Sequence, residues 1–229
     1  MSYQIIKKED RFFSSMGNMS SYFLFNFAEY FDPNNEKFGN LRVFNDDYLE
    51  PNSGFPLHPH KYYEILTLVL EGTITHKDSL GNEVEIKENE IQVTNTATGI
   101  FHSEFNHSNN DLKLYQIWFA PDEMAKTPIY YTSKYQKKDL ENKLFVIASG
   151  IGDSKNKLSS KVELSRGVFE GGEQIGFNLG ENIFLYIRYG KIKLSTGETL
   201  INNDQLRIIG DKIDIEFLEK SDIVVIKTL

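Results

Sequence analysis

One strand pattern is written twice in this chain. Residues 183–190 (IFLYIRYG) repeat the character of residues 65–72 (ILTLVLEG), 118 positions earlier. Both are apolar runs rich in β-formers, both end on glycine, and both lead into a further strand, Lys191–Leu194 or Thr73–His76. A second echo follows, Thr199–Ile209 (TLINNDQLRII) against Val84–Thr94 (VEIKENEIQVT), at an offset of 115. Strand, glycine turn and strand recurring in order predict two similar β units in tandem. Pro121–Asn142, polar and holding Pro121 and Pro128, is the expected link. The units are expected at residues 1–130 and 131–229.

The rest of the chain fits an all-β reading. Val84–Ile86, Ile91–Thr94 and Leu112–Phe119 read as short strands, and Asp78–Asn82 (DSLGN) as a hairpin turn. Helical periodicity is scarce, with short candidates only near Asp122–Ala125 and Lys138–Glu141. Many short strands separated by turn signals indicate a sandwich or barrel. The longest apolar runs, such as Ile65–Leu70, are too short to span a bilayer. The opening MSYQIIKKEDRFF lacks the apolar stretch of a signal peptide, so a cytoplasmic protein with no membrane partner is expected.

Composition removes several chemistries. There is no cysteine, which excludes disulfides, thiolate metal sites and a cysteine nucleophile. Lys and Arg number 25 against 33 Asp and Glu, a formal charge of −8. That balance argues against direct nucleic-acid binding.

The histidines are placed unevenly. All five lie between positions 58 and 107. Three fall in two motifs, Gly54–Glu64 (GFPLHPHKYYE) and Thr98–Glu104 (TGIFHSE). Residues i and i+2 of a strand share a face, so His58 and His60 project together, as do His102 and Glu104. Strands facing a common interior would bring three imidazoles and a carboxylate to one point, a donor set for Fe, Mn, Co, Ni, Cu or Zn. Glu64 shares parity with His58 and His60 and is expected inside the same barrel as ligand, orienter or base. On these grounds the carboxylate ligand is either Glu64 or Glu104. His76 and His107 flank turn-like segments and read as surface residues. Phe55, Phe101 and Trp118 are candidate walls of an apolar pocket.

These motifs resemble a known family. His58-Pro-His60 with Glu64 and Gly72, then Gly99-Ile-Phe-His102, are similar to the two cupin motifs. The strings HPHKYYEILTLVLEG, DSLGN, TGIFHSE and LYQIW, with NFAEYFDP (26–33) and LRVFNDD (41–47), resemble the pirins, above all bacterial pirin-like bicupins with quercetin 2,3-dioxygenase activity. The specific match runs from about residue 22 to 135. The resemblance implies two tandem jelly-roll cupin domains and one metal ion, usually Fe(II), in the N-terminal one. It assigns the ligands to His58, His60, His102 and Glu104, and so favours Glu104 over Glu64. Asn89 and Ala97 stand where the general second cupin motif has Gly and Pro. Asn still tolerates a left-handed turn there.

Projection of the repeat tests the second unit. Offset 118 carries His58, His60 and Glu64 onto Gly176, Asn178 and Asn182; offset 115 carries His102 and Glu104 onto Phe217 and Glu219. No imidazole survives, so the second unit is expected to hold no metal. The resemblance implies oxidative ring cleavage of a flavonol-like substrate by dioxygen, with Glu104 or Glu64 as proton acceptor. The competing expectation is a non-enzymatic, iron-binding regulator that contacts a protein partner.

Overall fold

The computed structural model describes residues 2–123 and 125–229. The first strand is β1 (Tyr3–Ile6). Then come β2 (Phe12–Met16), β3 (Met19–Phe23), β4 (Leu41–Leu49), β5 (Ser53–His60), β6 (Glu64–Glu71) and β7 (Thr73–Asp78). They are followed by β8 (Glu83–Lys87), β9 (Glu90–Asn95), β10 (Ile100–Asn106), β11 (Leu112–Phe119) and β12 (Ile129–Lys134). After a 3-10 turn at Lys137–Leu140 come β13 (Phe145–Ser149), β14 (Val162–Phe169), β15 (Gln174–Phe177) and β16 (Asn182–Tyr189). The last five are β17 (Lys191–Leu194), β18 (Thr199–Ile201), β19 (Gln205–Ile209), β20 (Ile213–Phe217) and β21 (Ser221–Thr228). No described helix is long and apolar enough to cross a membrane.

The chain divides into two compact units. One is Phe12–Tyr135; the other joins the stretch ending at Arg11 to Gln136–Leu229. The expected break after residue 130 falls inside β12, which is laddered to β9 from Ile129↔Asn95 to Lys134↔Glu90. The chain's first strand, β1, is laddered instead to β19. Of the helix candidates, 138–141 overlaps the 3-10 turn. At the other, Asp122 and Glu123 form a bend, Ala125 lies outside any element, and Met124 lies outside the described residues.

Each unit is a pair of sheets, and the two share one topology. The first has strand orders β12-β9-β6-β11-β4-β3-β2 and β5-β10-β7-β8; the second has β1-β19-β16-β21-β14-β13 and β15-β20-β17-β18. Adding ten to a strand number converts one inner order into the other. β1 borders β19 just as β12 borders β9. The glycine of the repeated motif explains why it recurs. Gly72 and Gly190 have φ of +83° and +107°, a region that L side chains avoid. A Cβ at Gly72 would strike the Asp111 carbonyl oxygen, and at Gly190 it would lie 2.6 Å from Ser221 Cα. Asn89 also takes the left-handed conformation, at φ +63°, as does Ala97 at +43°.

Ladder register matches the interiors residue by residue. With Gly72 set against Gly190, Thr67 corresponds to Leu185 and His76 to Leu194. Their cross-strand partners follow: Gln92 and Gln116 beside Thr67, Leu206 and Val225 beside Leu185. Glu104 faces His76, and Ile215 faces Leu194. His102, two residues before Glu104, therefore corresponds to Ile213. The expected counterparts Phe217 and Glu219 are thus corrected to Ile213 and Ile215. Leu185, Leu194, Leu206, Ile213, Ile215 and Val225 all belong to one apolar core. One unit fills these six positions with hydrocarbon, whereas the other places a polar network there.

The second unit has its own buried ion pair. Asp222, fully buried, accepts from Arg166 Nε at 3.0 Å and Nη2 at 2.7 Å, and from Arg188 Nη1 at 3.1 Å. Removing one member of such a group leaves charge uncompensated inside the protein. Asp222→Ala is expected to destabilise the chain by about 3–5 kcal/mol in urea unfolding. A loss below about 1 kcal/mol would show that water already reaches the pair.

Candidate metal centre

Two adjacent strands carry the histidines. β5 and β10 run antiparallel, with His58 opposite His102 and His60 opposite Ile100. β5 approaches β10 closely at Gly54, where a Cβ would sit 2.6 Å from Phe105 Cα. The absent side chain lets β5 hold its two histidines over β10. Ring centroids of His58, His60 and His102 are 4.5–4.7 Å apart. One donor nitrogen from each lies within 4.8 Å of the others.

The ring nitrogens face one another. His58 Nδ1 donates to the Pro56 carbonyl at 2.7 Å, so its Nε2 carries the lone pair. That Nε2 is 3.1 Å from His102 Nε2. Burial, followed by the neighbouring imidazoles, lowers the pKa of His60 and of His102 to about 3. Both rings are uncharged at neutral pH, the form that binds metal.

Glu104 is only 1% exposed and is gripped from the seven-stranded sheet. Its Oε1 accepts from Gln92 Nε2 and lies 3.2 Å from Thr67 Oγ1; its Oε2 accepts from Gln116 Nε2 at 2.8 Å. Tyr130 donates to Gln92 Oε1 at 3.2 Å, which turns the amide nitrogen toward the carboxylate. Sequence reasoning missed these partners. Only Thr67 gave a signal, a lone hydroxyl within the apolar run ILTLVL.

Three expectations are corrected here. His76 is not a surface residue; it is fully buried. It stacks on Tyr130 at 4.4 Å, with Nε2 3.1 Å from Asp78 Oδ2. His76, His102 and Glu104 form a second set of donors within 4.8 Å of one another. Its signal was alternation: Ile74 and His76 share the inward face of β7, whereas His107 is exposed as expected. Glu64 does not join the site. Thr67 reaches Glu104, so the odd-numbered residues of β6 face the cluster, and Glu64 with Leu66 and Leu68 lies on the sheet's opposite, also buried, face. Phe101 is 52% exposed and outside the cavity, because it neighbours His102 and so points the other way.

Phe55 and Trp118 do line the cavity beside the histidines. It measures about 260 Å³. Met16, Met19, Phe23 and Phe27 complete its apolar wall, while His58, His60, Glu104 and Gln116 contribute polar atoms. Trp118 meets His60 edge-on at 4.7 Å.

Known proteins share this chain's sequence and fold. The Pirin family model matches residues 6–119. A quercetin 2,3-dioxygenase of Escherichia coli K12 is 42% identical over 161 residues, covering 70% of this chain and 69% of that protein. A pirin-like protein of Caulobacter vibrioides is 34% identical over 211 residues, covering 88% and 89%. The chain belongs to the pirin family. The crystal structure of the bacterial pirin YhhW from Escherichia coli in complex with nickel(II) superposes on this pirin with a TM-score of 0.91. It is 33% identical and covers 99% of this chain and 98% of its own. The paired-sheet units are accordingly those of a bicupin.

The donor set of this pirin fits a divalent first-row ion. Two ring nitrogens at 3.1 Å share either one proton or one cation. His102 Nδ1 and His76 Nδ1 are buried with no hydrogen-bond partner among the described residues. Neutral imidazoles beside an oriented carboxylate are what such ions select.

Proposed function

We propose that this pirin is a metal-dependent dioxygenase of the quercetin 2,3-dioxygenase type, acting on flavonol-like substrates with dioxygen. His58, His60, His102 and Glu104 would hold the ion in the N-terminal unit, with Fe(II) the first ion to test. Bound there, a divalent cation supplies Lewis acidity that polarises a carbonyl and acidifies a hydroxyl. The observation that carries the reading is the mostly apolar cavity that opens onto the histidines and Glu104.

The chain's own residues do the rest. Phe23, Phe27, Phe55 and Trp118 present aromatic surface to a flat, multi-ring substrate and keep water from it. Glu104, which lines the cavity, would accept the proton of the substrate's 3-hydroxyl. Thr67, Gln92 and Gln116 fix its orientation, so a proton reaches a carboxylate already aimed at the cavity. Glu64, on the other face of β6, takes no part.

Aerobic incubation of the metal-loaded protein with quercetin tests this. The flavonol absorbance is expected to disappear with one equivalent of carbon monoxide released. No turnover with any of Fe, Mn, Co, Ni, Cu or Zn would shift the reading to a metal-binding regulator that acts through a protein partner.

A further inference from the structure

The cavity has a second polar region, away from the histidine strands, that the proposed chemistry leaves unused. It lies on β3 and β4, where Ser21 stands directly across from Asp47. Asn45 is two positions from Asp47 on the same strand and opposite Gln116 on β11. Ser21, Asn45 and Asp47 are 7%, 2% and 3% exposed, and all three line the cavity. Ser21 Oγ, Asn45 Oδ1 and Asp47 Oδ1 are buried without a partner in good hydrogen-bonding geometry among the described residues, the Ser21 hydroxyl acting on the Asp47 carboxyl only from outside that geometry. Buried polar atoms are nearly always satisfied, so three together beside a cavity call for a ligand atom or ordered water.

We propose that Ser21, Asn45 and Asp47 form a specificity subsite that binds the phenolic hydroxyls of the substrate ring farthest from the metal. This rests on the flavonol reading and adds to it what selects among flavonols. The unpaired atoms are two side-chain carbonyl-type acceptors and a hydroxyl, so they suit an incoming O–H donor. Asp47 disfavours a carboxylate or phosphate in that place. Phe23 and the Met16 and Met19 thioethers flank the subsite with surface suited to an aromatic ring. The seven-stranded sheet runs β6-β11-β4-β3, so Ser21 is three strands from Thr67, the residue beside Glu104. Asn45 and Asp47, on β4, are two strands from it; at about 4.8 Å per strand the three residues lie roughly 10–14 Å away, the reach from a flavonol's 3-hydroxyl to its pendant-ring hydroxyls with a hydrogen bond at each end.

The test uses three flavonols that share the 3-hydroxy-4-keto end and carry two, one or no hydroxyls on the remote ring: quercetin, kaempferol and galangin. Trp118 is the only tryptophan and lines the cavity, so its fluorescence reports binding without turnover. Titration of the metal-loaded protein under nitrogen is expected to rank quercetin above galangin by about tenfold or more in affinity. In Ser21→Ala and in Asn45→Ala the ranking is expected to shrink toward twofold, with galangin affinity unchanged. Asp47→Asn, which keeps a carbonyl oxygen in place, is expected to retain more of the ranking than Asp47→Ala. Circular dichroism melts confirm which variants are folded, and Ser21→Ala removes only one oxygen. Equal affinity for all three flavonols in the parent protein overturns the subsite alone. So does an unaltered ranking in the folded variants. Absence of quenching by any flavonol overturns the flavonol reading and the subsite with it.

Discussion

Replacing His60 by alanine is expected to weaken divalent-ion binding by more than about 100-fold, because changes to residues that merely support a ligand already cost about 10–100-fold. The parent protein should carry about one ion per chain through three imidazoles and a carboxylate. The variant, after dialysis against a weak chelator, should carry almost none by elemental analysis. The structure makes this a choice between two overlapping donor sets. His102 belongs to both, joined by His58 and His60 in one and by His76 and Glu104 in the other. His76 already has a carboxylate neighbour in Asp78 and an aromatic plane in Tyr130, both of which hold the ring in its present place. His58 and His60 border the substrate-sized cavity. His76→Ala should therefore lose much less metal than His60→Ala. The reverse order, with metal retained in His60→Ala and lost in His76→Ala, would move the ion to the inner set and overturn the ligand assignment.

What was legible in the sequence depended on whether a local rule survived a turn. The repeat was visible because Gly72 and Gly190 must take positive φ, and that demand is written in one letter at each copy. The pairing of His58 with His60, and of His102 with Glu104, was visible because i and i+2 share a face within one strand. Parity did not carry from β5 to β6. Between them lie Lys61–Tyr63, with Tyr62 at φ +67°, and the chain resumes with the opposite face inward. Strand β6 is buried from Glu64 to Leu70, so no polar alternation revealed the change. Offsets failed for a similar reason. Register matches Gln92 to Leu206, 114 positions on, but Glu104 to Ile215, 111 positions on. Residues lost in the intervening turn shift the numbering, while cross-strand pairing keeps the geometry. Thr67, Gln92 and Gln116 were not legible as partners of Glu104, since they come from three strands whose adjacency exists only in the folded sheet.

Asp47→Asn is expected to stabilise the metal-free protein at high pH and to leave it unchanged at low pH. Burial is the main cause of the raised Asp47 pKa, from 3.8 to about 7; the Asp46 and Glu104 charges add to it and the Ser21 hydroxyl offsets part. Between those two values the folded chain holds a proton that the unfolded chain has released. Stability therefore falls as pH rises from about 4 to about 7 and is flat above that. The gap of about three units corresponds to about 4 kcal/mol, an upper bound for a group that water does not reach. Asparagine has nearly the same shape and no proton to lose. In urea unfolding at pH 8 the variant should exceed the parent by about 2–4 kcal/mol, and below pH 4 the two should agree within about 1 kcal/mol. A constant difference across that range would mean that Asp47 titrates normally. The predicted gain also bears on function. A buried carboxyl that weakens the fold at neutral pH is retained at a cost, and such costs are characteristic of residues serving a site rather than the fold. If Asp47→Asn gains stability and also loses part of its discrimination among flavonols, the same buried carboxyl accounts for both the weakness and the selectivity.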